Sequence, residues 1–325
     1  MLEEIRQIQN PLVRSVTAAS AAFAMATIVS GAAVGLVNPQ DRAMVGVYAS
    51  LIGSGCGAIA GVVSGKKGSK TEPITGGNLS QAPTQPRTEG KTWQDWRNFV
   101  VMRKVKESEE ITSFYLQPED RGVIPNFQPG QFLTIKLEIP GRPQPVIRTY
   151  SLSDYPEPCE YYRLSIKREL APKGLEVPPG AASNFMHDQI QVGSIIPAKP
   201  PSGKFVLNVQ QSNPVVLISN GVGITPMISM ARACSRLNPQ RQIWFLHGAR
   251  DGQYHAFRDQ VMAVAQQNAN LHLHFAYSRP RPEDAGFYHS MGYVDTALVE
   301  SLVSKDAEFF LCGSPPVFAI ADGGA

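Results

Sequence analysis

The stretch that decides the fold is residues 148–153, which read RTYSLS. Alternate side chains of an extended strand point to the same side, so Arg148, Tyr150 and Leu152 share one face. An arginine, an aromatic ring and a hydroxyl supply a phosphate contact, a stacking plane and a hydrogen-bond donor, which a planar cofactor bearing a diphosphate requires. Taken alone, the segment could equally be an ordinary edge strand with a solvent-facing arginine.

Short alternating strands separated by turns surround this segment. Strands at such spacing are typical of an antiparallel barrel or sandwich. The pattern predicts strands at Asn98–Val105, Ile111–Leu116, Gln131–Glu138, Val146–Ser153 and Tyr161–Lys167.

Three further motifs follow in order: IKRE at 166–169, GAASNFMH at 180–187 and PSGKF at 201–205. The GAASNFMH motif is typical of a helix start, where glycine and serine expose backbone N–H groups to an anion. With RTYSLS, this order resembles the FAD domain of the ferredoxin–NADP reductase superfamily, especially its flavohemoglobin-type and oxygenase-type reductases. The resemblance implies an FAD-binding antiparallel Greek-key β-barrel over residues 93–212.

The resemblance also assigns roles on the flavin side. Arg148 contacts the diphosphate, Tyr150 packs against the isoalloxazine ring, and Ser151, also catalytic, donates near the reactive N5. A helix start at 180–183 caps the diphosphate. The implied FAD-binding set is Arg148, Thr149, Tyr150, Ser151, Ile166, Lys167, Gly180, Ala181, Ala182 and Ser183.

Another pattern begins at residues 214–219, a continuous apolar run that predicts a strand buried on both faces. It leads into NGVGITP at 220–226 and a helix at Met227–Leu237. Strand, glycine turn and helix form the context that binds a dinucleotide diphosphate, although the third glycine of GxGxxG is missing. A parallel α/β domain over 213–325 follows from further strands at Gln242–Leu246, Leu271–Tyr277 and Glu308–Leu311 and a helix at Ala256–Gln267.

The same superfamily resemblance implies that this α/β domain binds NADH or NADPH. Thr225 helps to place the nicotinamide, and Cys312 lies beside the hydride path, although alone it would be read as a buried structural cysteine. Both residues are therefore expected to be catalytic. The implied set is Gly221, Gly223, Thr225, Pro226, Arg250, Ser278, Arg279, Cys312 and Gly313.

Two positions leave alternatives at the adenosine end of this cofactor. Arg279 could pair with a 2′-phosphate, but similar residues occur in relatives that use NADH, so the choice between NADH and NADPH stays open. Arg250 either contacts the cofactor or forms a surface ion pair with Asp251.

Two long uncharged runs precede the barrel, Ser15–Val37 and Ala43–Gly65, each of about 23 residues. A bilayer core needs about 20 helical residues, so the runs and the turn between them predict a transmembrane hairpin over residues 1–65. The positive-inside rule places both ends and the catalytic domains in the cytoplasm, given the flanking Arg6, Arg14, Lys66, Lys67 and Lys70. A soluble helical pair or a misread signal sequence is the alternative. Residues 66–92 are typical of a flexible linker.

Composition excludes several classes of protein. A net charge of +3, from 30 basic and 27 acidic residues, gives no basic face for nucleic acid. The cysteines at 56, 159, 234 and 312 lack metal-ligand spacing, so we expect no metal site.

These observations predict a membrane-anchored flavoprotein reductase that passes electrons to an unidentified protein or membrane carrier. Relatives usually continue beyond the position of Pro316 with a helix and a final segment, whereas this sequence stops at Ala325. We therefore expect the protein to cover less of the flavin on the side where the nicotinamide binds. The alternative is a catalytically impaired membrane assembly or scaffold subunit.

Overall fold

The computed structural model describes residues 93–171, 177–304 and 306–314. These residues form an antiparallel sheet of six strands followed by a parallel sheet of five. The hairpin and linker predicted over residues 1–92 lie outside the described residues, so both stay predictions. Across the ranges described, no helix has the length and apolar character needed to cross a bilayer.

The first sheet closes on itself. Its strands are β1 (Arg97–Lys106), β2 (Ile111–Pro118), β3 (Phe132–Leu137), β4 (Val146–Ser151), β5 (Tyr162–Lys167) and β6 (Ile195–Ala198). They pair in the order β4-β3-β6-β1-β2-β5. A bridge between Leu152 and Leu164 joins the two outer strands, so the sheet forms a barrel.

Alternation of apolar side chains explains the barrel core. On β3, Leu133, Ile135 and Leu137 are buried and the residues between them are half-buried. The helix α1 (Ala181–Asp188) adds Met186 to the same cluster. Removing these side chains from water is the main force that holds the sheet closed.

The parallel sheet has the order β10-β9-β8-β7-β11, and all its pairs are parallel. From β7 the chain winds one way to β10 and then returns to the other side of β7 for β11. Ligands of such sheets bind at this reversal, beyond the carboxyl ends of the strands. The elements are β7 (Val215–Asn220), α2 (Ile224–Leu237), β8 (Ile243–Ala249), α3 (Arg258–Gln267), β9 (Leu271–Tyr277), β10 (Ser290–Met291), α4 (Thr296–Leu302) and β11 (Glu308–Cys312).

The predicted pair of an antiparallel and a parallel domain is confirmed, and several element ends differ. The β4 strand stops at Ser151 rather than Ser153, and only the bridge at Leu152 continues it. The α3 helix starts at Arg258 because Phe257 adopts a left-handed conformation with φ of 61°. Sequence analysis missed β6, β10 and α4, each of which is short.

Candidate cofactor-binding site

The predicted flavin residues of β4 become less exposed along the strand, from Arg148 to Ser151. Arg148 and Thr149 are exposed, and the Arg148 guanidinium donates to the carbonyl oxygen of Ile147 at 2.8 Å. Tyr150 and Ser151 are half-buried, and Tyr150 packs against the barrel core. The strand therefore offers a cation at its exposed end and an aromatic ring further in.

Burial sets the protonation state of Tyr150. It raises the pKa of the phenol to about 12, with the nearby Arg148 lowering the pKa and Glu169 raising it further. The ring is therefore neutral over the physiological range and can stack and donate a hydrogen bond.

The start of α1 presents open backbone donors. No side chain caps this end, and the first N–H groups of a helix have no partner within it. The Gly180 N–H donates to the Glu169 carbonyl at 2.9 Å, and the Glu169 N–H donates to the Ser183 hydroxyl at 3.2 Å. Residues 180–183 are thus fixed beside β5 with donors that suit a phosphate.

The two predicted β5 residues differ in what they can offer. Ile166 is buried in the barrel core, and its carbonyl oxygen lies 2.8 Å from Nε2 of His187, so its side chain is not available to a ligand. Lys167 is half-buried, and its ammonium lies 3.7 Å from the Glu169 carboxylate.

The glycine turn lies where the parallel sheet reverses. Residues Gly221–Gly223 form a single 3₁₀ turn between β7 and α2, and Gly221 has φ of +47°. A β-carbon on Gly223 would overlap the carbonyl group of Cys312, and one on Gly313 would overlap Oδ1 of Asn220. The Gly223 backbone therefore lies against the Cys312 backbone and Gly313 lies against the Asn220 side chain, so neither position has room for a β-carbon.

Sequence analysis did not identify Asn220, which joins these two strand ends. Its Oδ1 accepts from the Ser314 N–H at 2.8 Å, and its Nδ2 lies 3.2 Å from the Ser314 hydroxyl. The only signal in the sequence was its position directly after an apolar run.

Thr225, Pro226 and Cys312 complete this part of the site. Thr225 is buried, and its hydroxyl donates to the Val222 carbonyl at 3.0 Å, which steadies the turn. Pro226 is also buried. Cys312 is half-buried, and burial raises the pKa of its thiol to about 11, so the thiol is neutral at physiological pH.

Backbone bonds beyond β8 and β9 bring the predicted adenosine-end residues together. The Ser278 N–H donates to the Ala249 carbonyl at 3.0 Å, and the Arg279 N–H donates to the Arg250 carbonyl at 2.8 Å. The Arg250 guanidinium lies 3.7 Å from the centre of the Tyr254 ring. The Asp251 carboxylate, the ion-pair alternative for Arg250, accepts from the Gln253 N–H at 2.9 Å and lies 3.7 Å from the Arg281 guanidinium.

Two buried histidines under this edge were also missed. Nδ1 of His247 lies 2.8 Å from the Ser219 hydroxyl, and Nδ1 of His255 lies 2.9 Å from the Tyr277 hydroxyl. The rings are 4.8 Å apart. Burial lowers the pKa of His247 to about 3 and that of His255 well below its ordinary value, so both are neutral.

Other reactive side chains do not form a centre. Cys159 and Cys234 are buried, and burial raises the pKa of both thiols. No group of three His, Cys, Asp or Glu side chains suited to a metal ion occurs within the described ranges.

The residues present fit both cofactors. Open N–H groups at α1 and the aromatic ring of Tyr150 suit FAD, and the turn at Gly221–Gly223 leaves backbone accessible, with nothing within 4 Å of where a Gly221 β-carbon would lie. Arg250 and Arg279 supply exposed positive charge at the far end of the same edge.

Comparison with known proteins places two family models on these domains. The oxidoreductase FAD-binding domain matches residues 98–207, and the oxidoreductase NAD-binding domain matches residues 217–322. A flavohemoprotein of Bacillus thuringiensis subsp. konkukian is 42% identical over 227 residues, covering 69% of this chain and 56% of that protein. The chain thus spans about half the length of the curated relatives it matches.

Solved structures show the same architecture. The flavohem-like FAD/NAD-binding domain of a nitric oxide dioxygenase from Vibrio cholerae is 30% identical, with a TM-score of 0.58. The match covers 67% of this chain and 87% of that domain. The cytochrome b5 reductase domain of Ulva prolifera nitrate reductase shares the fold at 21% identity and a TM-score of 0.59, covering 70% of this chain and 91% of that domain.

Proposed function

Because the chain belongs to the FAD- and NAD-binding oxidoreductases of the ferredoxin–NADP reductase superfamily, with flavohemoproteins among its relatives, we propose that it is an electron-transfer reductase. In this proposal a hydride passes from NADH or NADPH to FAD, and electrons then leave for a separate acceptor. When bound, FAD accepts a hydride at N5 and releases electrons singly or in pairs.

The observation that carries this proposal is that two stretches of accessible backbone, the start of α1 and the turn at Gly221–Gly223, are connected through strand β5. The 3₁₀ turn at Gly221–Gly223 contacts β5 of the barrel, and β5 leads to the Glu169 backbone that fixes α1. A nucleotide bound at the turn would therefore lie next to the strand layer that carries the flavin residues. Holding two reactants in contact and in the right orientation can supply about 7–11 kcal/mol of the activation barrier.

On the flavin side, the residues bind and orient. Arg148 would pair with the diphosphate, the open N–H groups at 181–183 would bind its oxygens, and Tyr150 would pack on the ring system. Ser151 would donate to the edge of the ring from the adjacent position of the strand.

On the nicotinamide side, the residues exclude water and fix the approach. The Gly223 and Cys312 backbones lie too close together to admit a β-carbon, so water would have no space between them below a bound nicotinamide. A neutral thiol at Cys312 adds no charge beside the transferred hydride. The transfer needs no general base, so Gly223 and Cys312 would act here by positioning the nicotinamide.

The test is the colour of the purified full-length protein. We expect a yellow protein whose flavin absorbance bleaches when NADH or NADPH is added without oxygen. A yellow protein that does not bleach would favour the scaffold alternative, and a protein that cannot be loaded with FAD would overturn the proposal. Reduction of a quinone, a ferredoxin and a cytochrome would then identify the class of acceptor.

Preference between the two nicotinamide cofactors is proposed to depend on Arg279. Arg279 is exposed and its backbone N–H bonds to the Arg250 carbonyl, and a 2′-phosphate bound there could form a charge-assisted hydrogen bond with its guanidinium. Arg279→Gln should lower kcat/KM for NADPH about tenfold more than for NADH, since such a bond contributes about 1.5–3 kcal/mol. Equal losses with both cofactors would contradict this role.

Membrane attachment is proposed from the sequence of residues 1–65. Two uncharged runs of spanning length, followed by lysines, support a hairpin that holds the reductase near a membrane acceptor. Deletion of residues 1–70 should release the protein from the membrane fraction and slow reduction of that acceptor. Equal activity toward the acceptor after the deletion would count against the tether.

A further inference from the structure

Asp154, which directly follows RTYSLS, connects the barrel to the parallel-sheet domain. Its carboxylate is buried, with Oδ1 2.6 Å from Arg232 Nη1 and Oδ2 3.5 Å from Arg163 Nη1. The Tyr161 hydroxyl donates to Oδ2 at 2.9 Å. The Asp154 carbonyl accepts from the Ser229 hydroxyl at 3.0 Å.

The partners on the other domain lie on one helix. Ser229 and Arg232 belong to α2, which begins directly after the turn at Gly221–Gly223. Asp154 lies three residues after Ser151, just beyond the end of the strand that carries the predicted flavin contacts. A single residue that follows the flavin-binding strand therefore bonds to β5 of the barrel and to the helix whose first turn would hold the nicotinamide.

A glutamine extends the connection to a further helix. Oε1 of Gln260, on α3, accepts from Arg163 at 2.8 Å and from Arg232 at 2.9 Å. Its Nε2 donates to the Glu107 carboxylate at 3.1 Å. We call Asp154, Arg163, Arg232, Gln260 and Glu107 the Asp154 network.

The charges in this network balance, with two arginines against two carboxylates. Arg163 has only 1% of its side chain exposed, and its guanidinium also contacts the Ser153 carbonyl and lies 4.7 Å from the Phe257 ring centre. Removing one partner of a buried ion pair leaves the other charge uncompensated, which is strongly unfavourable. Because Arg232 and Gln260 belong to the parallel-sheet domain and the other members to the barrel, the two domains cannot shift relative to each other without breaking these contacts.

We propose that Asp154 is a positioning residue that fixes the nicotinamide-binding turn relative to the flavin-binding strand. The inference rests on the proposed function and adds Asp154 to the residues that serve it. The rate of hydride transfer depends strongly on the distance between the two reacting groups. A displacement of about 1 Å can slow an enzymatic step by about 100-fold. Asp154 needs no contact with either cofactor to have this effect.

The test compares Asp154→Asn with the parent in the full-length, FAD-loaded protein. Asparagine has nearly the same size as aspartate, but it carries no charge. Its NH₂ group would face the Arg163, Arg232 or Tyr161 donors instead of an accepting oxygen. We expect FAD content to be unchanged, flavin reduction at saturating NADH or NADPH to slow about tenfold, and KM to change little. Arg232→Gln, which leaves Asp154 its Arg163 partner, should act in the same direction and serves if Asp154→Asn folds poorly.

Glu308→Gln is the matched control. It breaks the 2.8 Å ion pair of Glu308 with the buried Arg241, which lies wholly within the parallel-sheet domain. We expect it to lower stability without changing the rate of flavin reduction. Equal slowing in both variants, or an unchanged rate in Asp154→Asn, would overturn the proposal.

Calorimetry supplies a readout that does not depend on hydride transfer. The parent and Glu308→Gln should unfold in one sharp transition over the described domains. Asp154→Asn should unfold in a broader transition, with a van't Hoff enthalpy below the calorimetric enthalpy, because the polar part of the contact between the domains is weakened while the apolar part remains. An equally sharp transition in Asp154→Asn would contradict the proposal. If the parent is never reduced by NADH or NADPH, the proposed function fails, and calorimetry still decides whether Asp154 couples the domains.

Discussion

At the level of single residues, burial decides the charge of the groups nearest the candidate site. Tyr150 and Cys312 have raised pKa values and stay protonated, and His247 and His255 have lowered pKa values and stay neutral. The site therefore presents its positive charge through arginines and its remaining donors through the backbone. This distribution suits an anionic diphosphate joined to a planar, uncharged ring.

The ring of Tyr150, rather than its hydroxyl, should determine flavin affinity. Tyr150→Ala should weaken FAD binding about tenfold or more, because it removes a half-buried aromatic surface and its stacking. Tyr150→Phe is the matched control and should bind FAD nearly as well as the parent. Titration of the FAD-free protein with FAD measures both, and equal losses in the two variants would assign the effect to the hydroxyl.

His247 should make the protein sensitive to acid. Its pKa is depressed in the folded state, so it contributes stability above its ordinary pKa of 6.5, and that stability is lost as the pH falls toward about 3. In this window the free energy of unfolding should fall by about 1.4 kcal/mol per pH unit for this histidine. Urea unfolding of the parent and His247→Asn between pH 7 and 4 checks this, and identical pH slopes would contradict it.

At the level of elements, the reversal of the parallel sheet is held by close backbone contact. The β7 and β11 ends meet through Gly223 and Gly313, and Asn220 bonds to Ser314 across the gap. The distance between these strand ends sets the width of the crevice in which a nicotinamide would lie.

Gly223→Ala should open this crevice. Its methyl group has no space against the Cys312 carbonyl, so we expect a loss of about 1–3 kcal/mol in unfolding free energy and weaker NAD(P)H binding. Gly248→Ala, at the end of β8, is the matched control, because its methyl group would lie 3.6 Å from the nearest atom. Denaturant unfolding and nucleotide titration test both variants, and a tolerated Gly223→Ala would contradict the packing argument.

At the level of the whole molecule, the two domains share apolar contacts as well as ions. Ile111 starts the barrel strand β2, yet it is fully buried in the core cluster of the parallel sheet. Phe205, which follows the barrel, packs edge-on against Phe310 of β11 with ring centres 5.4 Å apart. The domains are therefore expected to resist separation even before a cofactor binds.

Ile111→Ala should destabilise the protein by about 2–5 kcal/mol, because it leaves a cavity in a core that both domains build. Met102→Ala, on the exposed side of β1, should change stability by less than about 0.5 kcal/mol. Urea unfolding followed by circular dichroism measures both. Similar effects of the two substitutions would show that Ile111 is not a shared core residue.

Local patterns were sufficient for the elements that carry the predicted cofactor residues. The RTYSLS strand, the helix start at Gly180 and the glycine turn at Gly221–Gly223 lie where the sequence predicted them, since alternation, chain turns and glycine act over a few residues. The short β6 and β10 strands gave no comparable signal, because their pairing depends on neighbours far along the chain.

By itself, the sequence determined the two domain types and most of their strands, and its resemblance to a family assigned residues to each expected cofactor, which stay predictions. Only the tertiary structure decided barrel closure at Leu152 and Leu164, the Asn220–Ser314 contact and the Asp154 network. The physical reason is distance along the chain. Asp154 and Ser229 are 75 residues apart and Asn220 and Ser314 are 94 apart, so packing of whole domains, rather than any local preference, brings them together.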